Sequence, residues 1–198
     1  MTTPRLLIMG CVKTKGTEAA PASDLYQGQL WQLRRQYAEA SGHPWVIVSA
    51  QLGIVDPLDP IRPYDRTMGE TLASEELYAR WSEAVYHGLR GALVRNGIVG
   101  QCPTLEVHAG ASYVAALRDE IKRLEGCLWF SMRAQDSLPA RIEHPVKGLQ
   151  IGELKRWYRE QLGLATPKPI APRAARAPRQ MGLFDPVDLI AEGVCRVG

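Results

Sequence analysis

Ser49 to Gly69, SAQLGIVDPLDPIRPYDRTMG, follows the apolar run Trp45-Val46-Ile47-Val48 and precedes a long helical pattern. Its three prolines, Pro57, Pro60 and Pro63, each fix φ and push the preceding residue toward extended geometry, so the segment reads as a stiff, shaped loop. A rigid loop leaving the end of a strand is where α/β proteins commonly carry their chemistry.

On the amino-terminal side, Arg5–Gly10 (RLLIMG) is a continuous apolar run, as expected of a strand buried on both faces. A polar turn, Cys11 to Gly16, follows it. Ser23 or Asp24 then opens a predicted helix carrying Tyr26, Leu30, Leu33 and Tyr37, with Gly42 at its end. Trp45 to Ala50 is the second strand.

On the carboxyl side, Ser74 is a helix cap with Glu75 and Glu76 in the first turn, where the helix dipole favours acids. Leu77, Trp81, Val85 and Leu89 form the buried stripe of that helix. Leu105-Glu106-Val107-His108 predicts a third strand, and Tyr113, Leu117, Ile121 and Leu124 a helix closed by Gly126. Cys127–Ser131 reads as a fourth strand, and Gly152–Leu162 as a last helix around Leu154, Trp157 and Tyr158. Strand, loop and helix alternate, which predicts an α/β fold with a mainly parallel sheet flanked by helices.

Residues 165–180, ATPKPIAPRAARAPRQ, hold four prolines, three arginines and one lysine but no acid. Such a stretch cannot build a core and reads as a basic Pro/Arg-rich arm. The expected organisation is a domain over 1–164, this linker over 165–181, and a short terminal segment over 182–198, with Pro186 suiting a helix start. The four cysteines form no C-x-x-C pair, so no structural zinc is expected, and no cofactor is implied. No run approaches a membrane span and no leader pattern opens the chain, so a cytoplasmic protein is expected. The net charge of +3 is too small to identify a nucleic-acid binder by itself.

Several side chains carry candidate chemistry. Asp65, between Tyr64 and Arg66, can activate water or stabilise an oxocarbenium-like sugar, or else cap the turn or pair with Arg62 or Arg66. Lys13 can bind phosphate, attack C1′ as an amine, or stand solvated in its turn. Cys11 reads as a small buried residue or a thiolate. His108, a candidate substrate contact or proton carrier, ends a strand before Ala109-Gly110-Ala111-Ser112, where small residues and a helix start favour an anionic group such as phosphate. Tyr26, Tyr64 and Tyr113 can stack on an extruded base or, for Tyr26 and Tyr113, fill helix faces; Tyr64 is the strongest of the three. Lys168, Arg173, Arg176 and Arg179 offer salt-sensitive phosphate contacts, or simply keep the arm solvated.

In the loop, Leu52-Gly53-Ile54-Val55, Pro57-Leu58-Asp59, Ile61, Pro63-Tyr64 and Met68-Gly69 resemble the YaaA-like peroxide-stress family. Cys11 with Lys13, Asp24-Leu25-Tyr26, Ser49-Ala50 with Gly53, and Pro63-Tyr64-Asp65 resemble small bacterial and phage domains of the same superfamily. The resemblance covers about residues 1–70. It implies double-stranded DNA as partner, with work on an extruded nucleobase, and it lifts Asp24 to a candidate assistant of Asp65. Cys11, Ser49, Arg62, Arg66 and Tyr113 join the candidate substrate contacts. The chain departs from the YaaA-like pattern in its shorter length and in the acid at position 65, where that family carries a base. The expected activity is hydrolysis of the N-glycosidic bond of a modified base, for instance in phage DNA. The alternatives are a non-enzymatic DNA-binding stress protein and a hydrolase or transferase of free nucleosides.

Overall fold

The structure, a computed structural model, describes residues 3–98, 103–131 and 141–165. The chain divides into Met1–Thr166 and Pro167–Gly198, and every described residue belongs to the first. Lys168, Arg173, Arg176, Arg179 and the expected terminal helix start lie outside the described residues.

Strand β1 (Arg5–Gly10) is the middle of a five-stranded sheet. It runs parallel to β3 (Trp45–Ser49), with Ile8 opposite Val46, and to β6 (Thr104–His108), with Ile8 opposite Val107. β7 (Arg141–Glu143) extends the sheet in parallel beyond β6. β4 (Gly53–Val55) turns back antiparallel on β3, so the order is β4-β3-β1-β6-β7. This is the α/β architecture that the alternation of elements predicts.

A strand with neighbours on both edges and helices over both faces must be apolar throughout, which is why β1 shows no alternation. Leu6 and Ile8 pack with Trp81, Val85 and Leu89 of α4 (Glu75–Arg95) and Leu117 and Ile121 of α5 (Ala111–Ser131). Leu7 and Met9 pack on the opposite face with Leu25 of α1 (Ala22–Leu25) and Trp31 of α2 (Gln29–Ala40). Helix α6 (Ile151–Gln161) joins that second face by seating Tyr158 against Leu33 of α2. The buried indoles of Trp81 and Trp31 satisfy their N–H groups on carbonyls: Trp81 donates to Ser49 O and Trp31 to Ser23 O, each at 2.8 Å.

Three local expectations change. Tyr26 does not continue a helix from Ser23: α1 ends at Leu25, Tyr26 is extended at ψ 137°, and Gly28 opens α2 at φ +98°. That φ suits glycine alone, and the backbone of Tyr26 pairs instead with Lys15. Gly126 does not close α5, which continues to Ser131, so Cys127–Ser131 is helix and the fourth parallel strand is Arg141–Glu143. A short apolar run fits a strand or a buried helix equally, and a glycine inside a helix is tolerated.

The proline-rich loop is stapled down at several points. β5 (Pro60–Ile61) pairs with β2 (Ala20–Pro21), and the Ala22 and Ser23 amides donate to the carbonyls of Asp59 and Pro57, both at 2.9 Å. Beyond it, Thr67 and Glu70 form a capping box that starts α3 (Met68–Leu72). Thr71 Oγ1 then donates to Ala50 O at 2.7 Å, tying α3 to the end of β3.

Helix α4 crosses β4 at two glycines. A methyl group at Gly88 would stand 2.7 Å from Ile54 Cβ, and one at Gly53, itself at φ +70°, 2.7 Å from Ala84 Cβ. Gly88→Ala therefore forces the helix off the strand and is expected to cost about 1–3 kcal/mol. Urea denaturation checks this as a lowered midpoint at unchanged m-value.

Candidate functional site

The carboxyl ends of β1 and β3 deliver two loops to one edge of the sheet. The turn after β1 and the segment after β5 meet there in an open cleft of about 590 Å³ lined by Lys13, Thr14, Lys15, Gly16, Pro63, Tyr64 and Asp65. Two hydrogen bonds lace the turn to the residues before α2: Gly16 N to Leu25 O at 2.8 Å and Gln27 N to Thr14 O at 3.0 Å. Lys13 and the Tyr64-Asp65 pair, distant from it in sequence, thus line one cleft.

Tyr64 is fixed by its hydroxyl, which lies 2.6 Å from Ser49 Oγ and 2.6 Å from Tyr26 Oη. The direction of these bonds follows from Ser49. Its oxygen accepts from the amides of Gln51 at 3.2 Å and Leu52 at 3.0 Å, so its own proton goes to Tyr64, and Tyr64 donates onward to Tyr26. Burial, then the nearby Cys11 sulfur, raises the Tyr64 phenol well above its ordinary range, and burial pushes Tyr26 up to about 12. Both stay protonated, which the relay requires. The Tyr64 ring is therefore a positioned wall whose hydroxyl is already engaged.

Lys15 was not singled out by sequence. Its Nζ stands 4.2 Å above the Tyr64 ring centroid and 5.8 Å from that of Tyr26, and donates to Lys13 O at 3.2 Å. A cation over an aromatic face is held by the ring quadrupole, so a ligand stacking on that face must displace Lys15. The signal that could have found it is the Lys13-Thr14-Lys15 spacing, which puts two amines on one short turn.

Asp65 is exposed at the cleft and makes no hydrogen bond or ion pair among the described residues. The turn cap and the pairing with Arg62 or Arg66, open alternatives in the sequence, are not what it does. Arg62 is exposed and Arg66 half-buried, and neither lines the cleft.

The remaining candidates stand apart. Asp24, half-exposed, is ion-paired with Arg35, which also holds Glu39 at 2.7 Å; it does not line the cleft with Asp65. Cys11, a free thiol, lies 3.2 Å from the Tyr113 hydroxyl, whose titration burial displaces upward. His108 is 0% exposed, so it offers nothing to a ligand in this arrangement. On β6, Leu105 and Val107 face α4 and α5, leaving Glu106 and His108 to the other side under α2 and α6. His108 Nε2 is 2.7 Å from Glu106 Oε1 and Nδ1 is 2.9 Å from the Tyr158 hydroxyl.

Burial holds His108 below its ordinary value, against the pull of Glu106, so the ring is neutral and Nδ1 accepts from Tyr158. Burial works to raise Glu106, but hydrogen bonds from His108, Tyr37 (2.7 Å) and Arg5 prevail and bring it down to about 2. Sequence inspection passed over Glu106 as an ordinary strand residue; an acid inside an otherwise apolar buried strand is the signal it carried.

Among the described residues no group of three or more His, Cys, Asp or Glu is arranged to hold a metal ion, and no helix is long and apolar enough to cross a membrane. The molecule is an α/β protein with a polar, aromatic cleft at the carboxyl edge of a parallel sheet. It belongs to DUF6884, a family of unknown function, whose pattern matches residues 6–160 and so spans β1 to α6 with the whole cleft. No curated protein and no solved structure matches the chain.

Proposed function

We propose that the protein hydrolyses the N-glycosidic bond of a modified nucleobase in DNA. The observation that carries the reading is Asp65, a carboxylate without a partner among the described residues that shares one cleft with two lysines and a fixed tyrosine ring. A carboxylate with no internal partner is free to take a proton from water or to face a developing cation. The resemblance of the Pro63-Tyr64-Asp65 loop to nucleobase-processing domains supports the same assignment.

In this reaction water bonds to C1′, its proton passes to Asp65, and the C1′–N electron pair leaves with the base. An extruded base takes the Tyr64 face in place of Lys15, whose ammonium moves to a flanking phosphate beside Lys13. Asp65 is exposed in the free protein, so the bound DNA supplies the desolvation that strengthens it.

The test is incubation of the purified chain with DNA from unmodified and base-modified phages, followed by mass spectrometry for released bases and abasic sites. Release from a modified DNA is the expected result. Salt-sensitive binding with no release from any DNA would replace the proposal by a non-enzymatic DNA-binding protein. Borohydride trapping of a protein–DNA adduct that is lost in Lys13→Ala would replace the water route by an amine nucleophile.

A further inference from the structure

A second cavity, of about 440 Å³, opens at the carboxyl end of β6, and none of its lining residues lines the Tyr64 cleft. Its place in the sheet is notable. From β1 the chain moves outward to β3 on one side and then crosses to β6 on the other, so the order of the parallel strands reverses between β1 and β6. Crevices at such reversals, beyond the carboxyl ends of the strands, are where open α/β sheets hold ligands.

Arg34 of α2 forms part of the wall, and it is 6% exposed. Nη1 donates to Gly10 O, the last carbonyl of β1, at 2.7 Å, whereas the buried Nε has no partner. Arg34 also faces the Tyr158 hydroxyl, which offers no negative charge. It forms no salt bridge among the described residues. A buried guanidinium without a counter-charge is costly, and one with a vacant N–H beside a cavity calls for an anion.

The rest of the wall agrees. Arg118 and Lys147 line it, and there is no Asp or Glu among the lining residues. His144 is kept neutral by burial, against a hydrogen bond to the Val107 backbone, with Arg118 and Lys147 pressing the same way. Its buried, partnerless Nδ1 is then an acceptor, open to a ligand hydroxyl or N–H and not to the phosphate itself. Gly110 and Ala111 bring the amino-terminus of the 21-residue α5 to the same space, and its free amides and dipole favour an anion. Val107, Val114, Leu149 and Leu154 also line the cavity and give it apolar surface.

We propose that this cavity binds a phosphate monoester carrying an apolar or aromatic body, of mononucleotide size. A doubly charged terminal phosphate matches a lining that holds Arg34, Arg118 and Lys147 and no acid, and the apolar lining and the volume leave room for the remainder of the ligand. The proposal stands independently of base release at Asp65.

Isothermal titration calorimetry on the full chain tests it, with adenosine 5′-monophosphate, adenosine and inorganic phosphate as probes. The monophosphate is expected to bind more tightly than either fragment. The exposed pair Arg118→Ala/Lys147→Ala, which leaves the core intact, should weaken it by at least about tenfold, since charge-assisted hydrogen bonds are lost. Arg34→Lys should weaken it as well, with thermal melting as the check that this buried variant folds. A monophosphate that binds no better than adenosine, or equally well to the Arg118/Lys147 variant, overturns the proposal. Displacement of the monophosphate by an oligonucleotide lacking terminal phosphates would also overturn it, because the occupant would then be a diester.

Discussion

Asp65→Asn is expected to reduce base release by about a hundredfold to ten-thousandfold, the range a positioned acid or base contributes. The substitution keeps the size of the side chain and removes its charge, so the amide can neither take the proton from water nor face a cationic sugar. Because Asp65 is exposed and makes no bond among the described residues, the folded state should hardly notice the change. DNA affinity should hold or rise, since a negative charge beside phosphates has been removed. Single-turnover release measured alongside binding separates these effects. Full release by Asp65→Asn would remove this residue from the chemistry, and equal losses of binding and release would make it a contact only.

The largest effect on stability is expected from Glu106→Ala, about 3–5 kcal/mol, as for removal of one partner from a buried charged network. The change deprives the buried His108 Nε2 and the half-buried Tyr37 hydroxyl of their acceptor, and it leaves Arg5 only Glu143, at 3.3 Å. The same network predicts acid sensitivity. Glu106 titrates ordinarily at 4.5 but at about 2 in the fold, so between those values the unfolded chain binds the extra proton and stability falls with falling pH. The loss across the window is on the order of 3 kcal/mol. His108, held below its ordinary 6.5 by burial, adds to the loss with the same sign starting at higher pH. Denaturant midpoints from pH 7 to pH 3 should slope steeply in the wild type and flatten in Glu106→Ala. An equal slope in both would mean that other groups carry the acid response.

The strands were legible where burial demands a pattern. The apolar runs at Arg5–Gly10 and Trp45–Ser49, short and each followed by a polar turn or loop, read as strands and are strands, and Ser74 with two acids behind it marks a helix start that the Ser74 hydroxyl does cap, accepting from Leu77 N at 3.3 Å. Tyr26 was misread because its spacing to Leu30 and Leu33 is helical, while the force on it is tertiary: a backbone pair with Lys15 and a hydroxyl contact with Tyr64. At the candidate site, Tyr64, Asp65 and Lys13 could be named together because a stiff loop and a strand-end turn meet at the same sheet edge. His108 could not be placed the same way. Its position at the end of a strand is common to both readings, and only the face on which its side chain falls, beneath Tyr158, decides between a ligand contact and a buried ring. Arg34 was equally hidden, since an arginine in a helical pattern looks solvated until the packing of α2 and α6 encloses it.

The outer strands of the sheet, β4 and β7, are three residues each. Unpaired strand edges are where sheets recruit other chains, and short, charged or covered rims are the usual protection against it. Here β7 carries Arg141 and Glu143, joined at 3.1 Å, while β4 lies beneath α4. Each rim has backbone for at most a ladder of three residues, which makes strand addition a poor route to self-association or aggregation. A chain protected in this way can keep open, polar clefts at the carboxyl ends of its strands without presenting the sheet itself as a template.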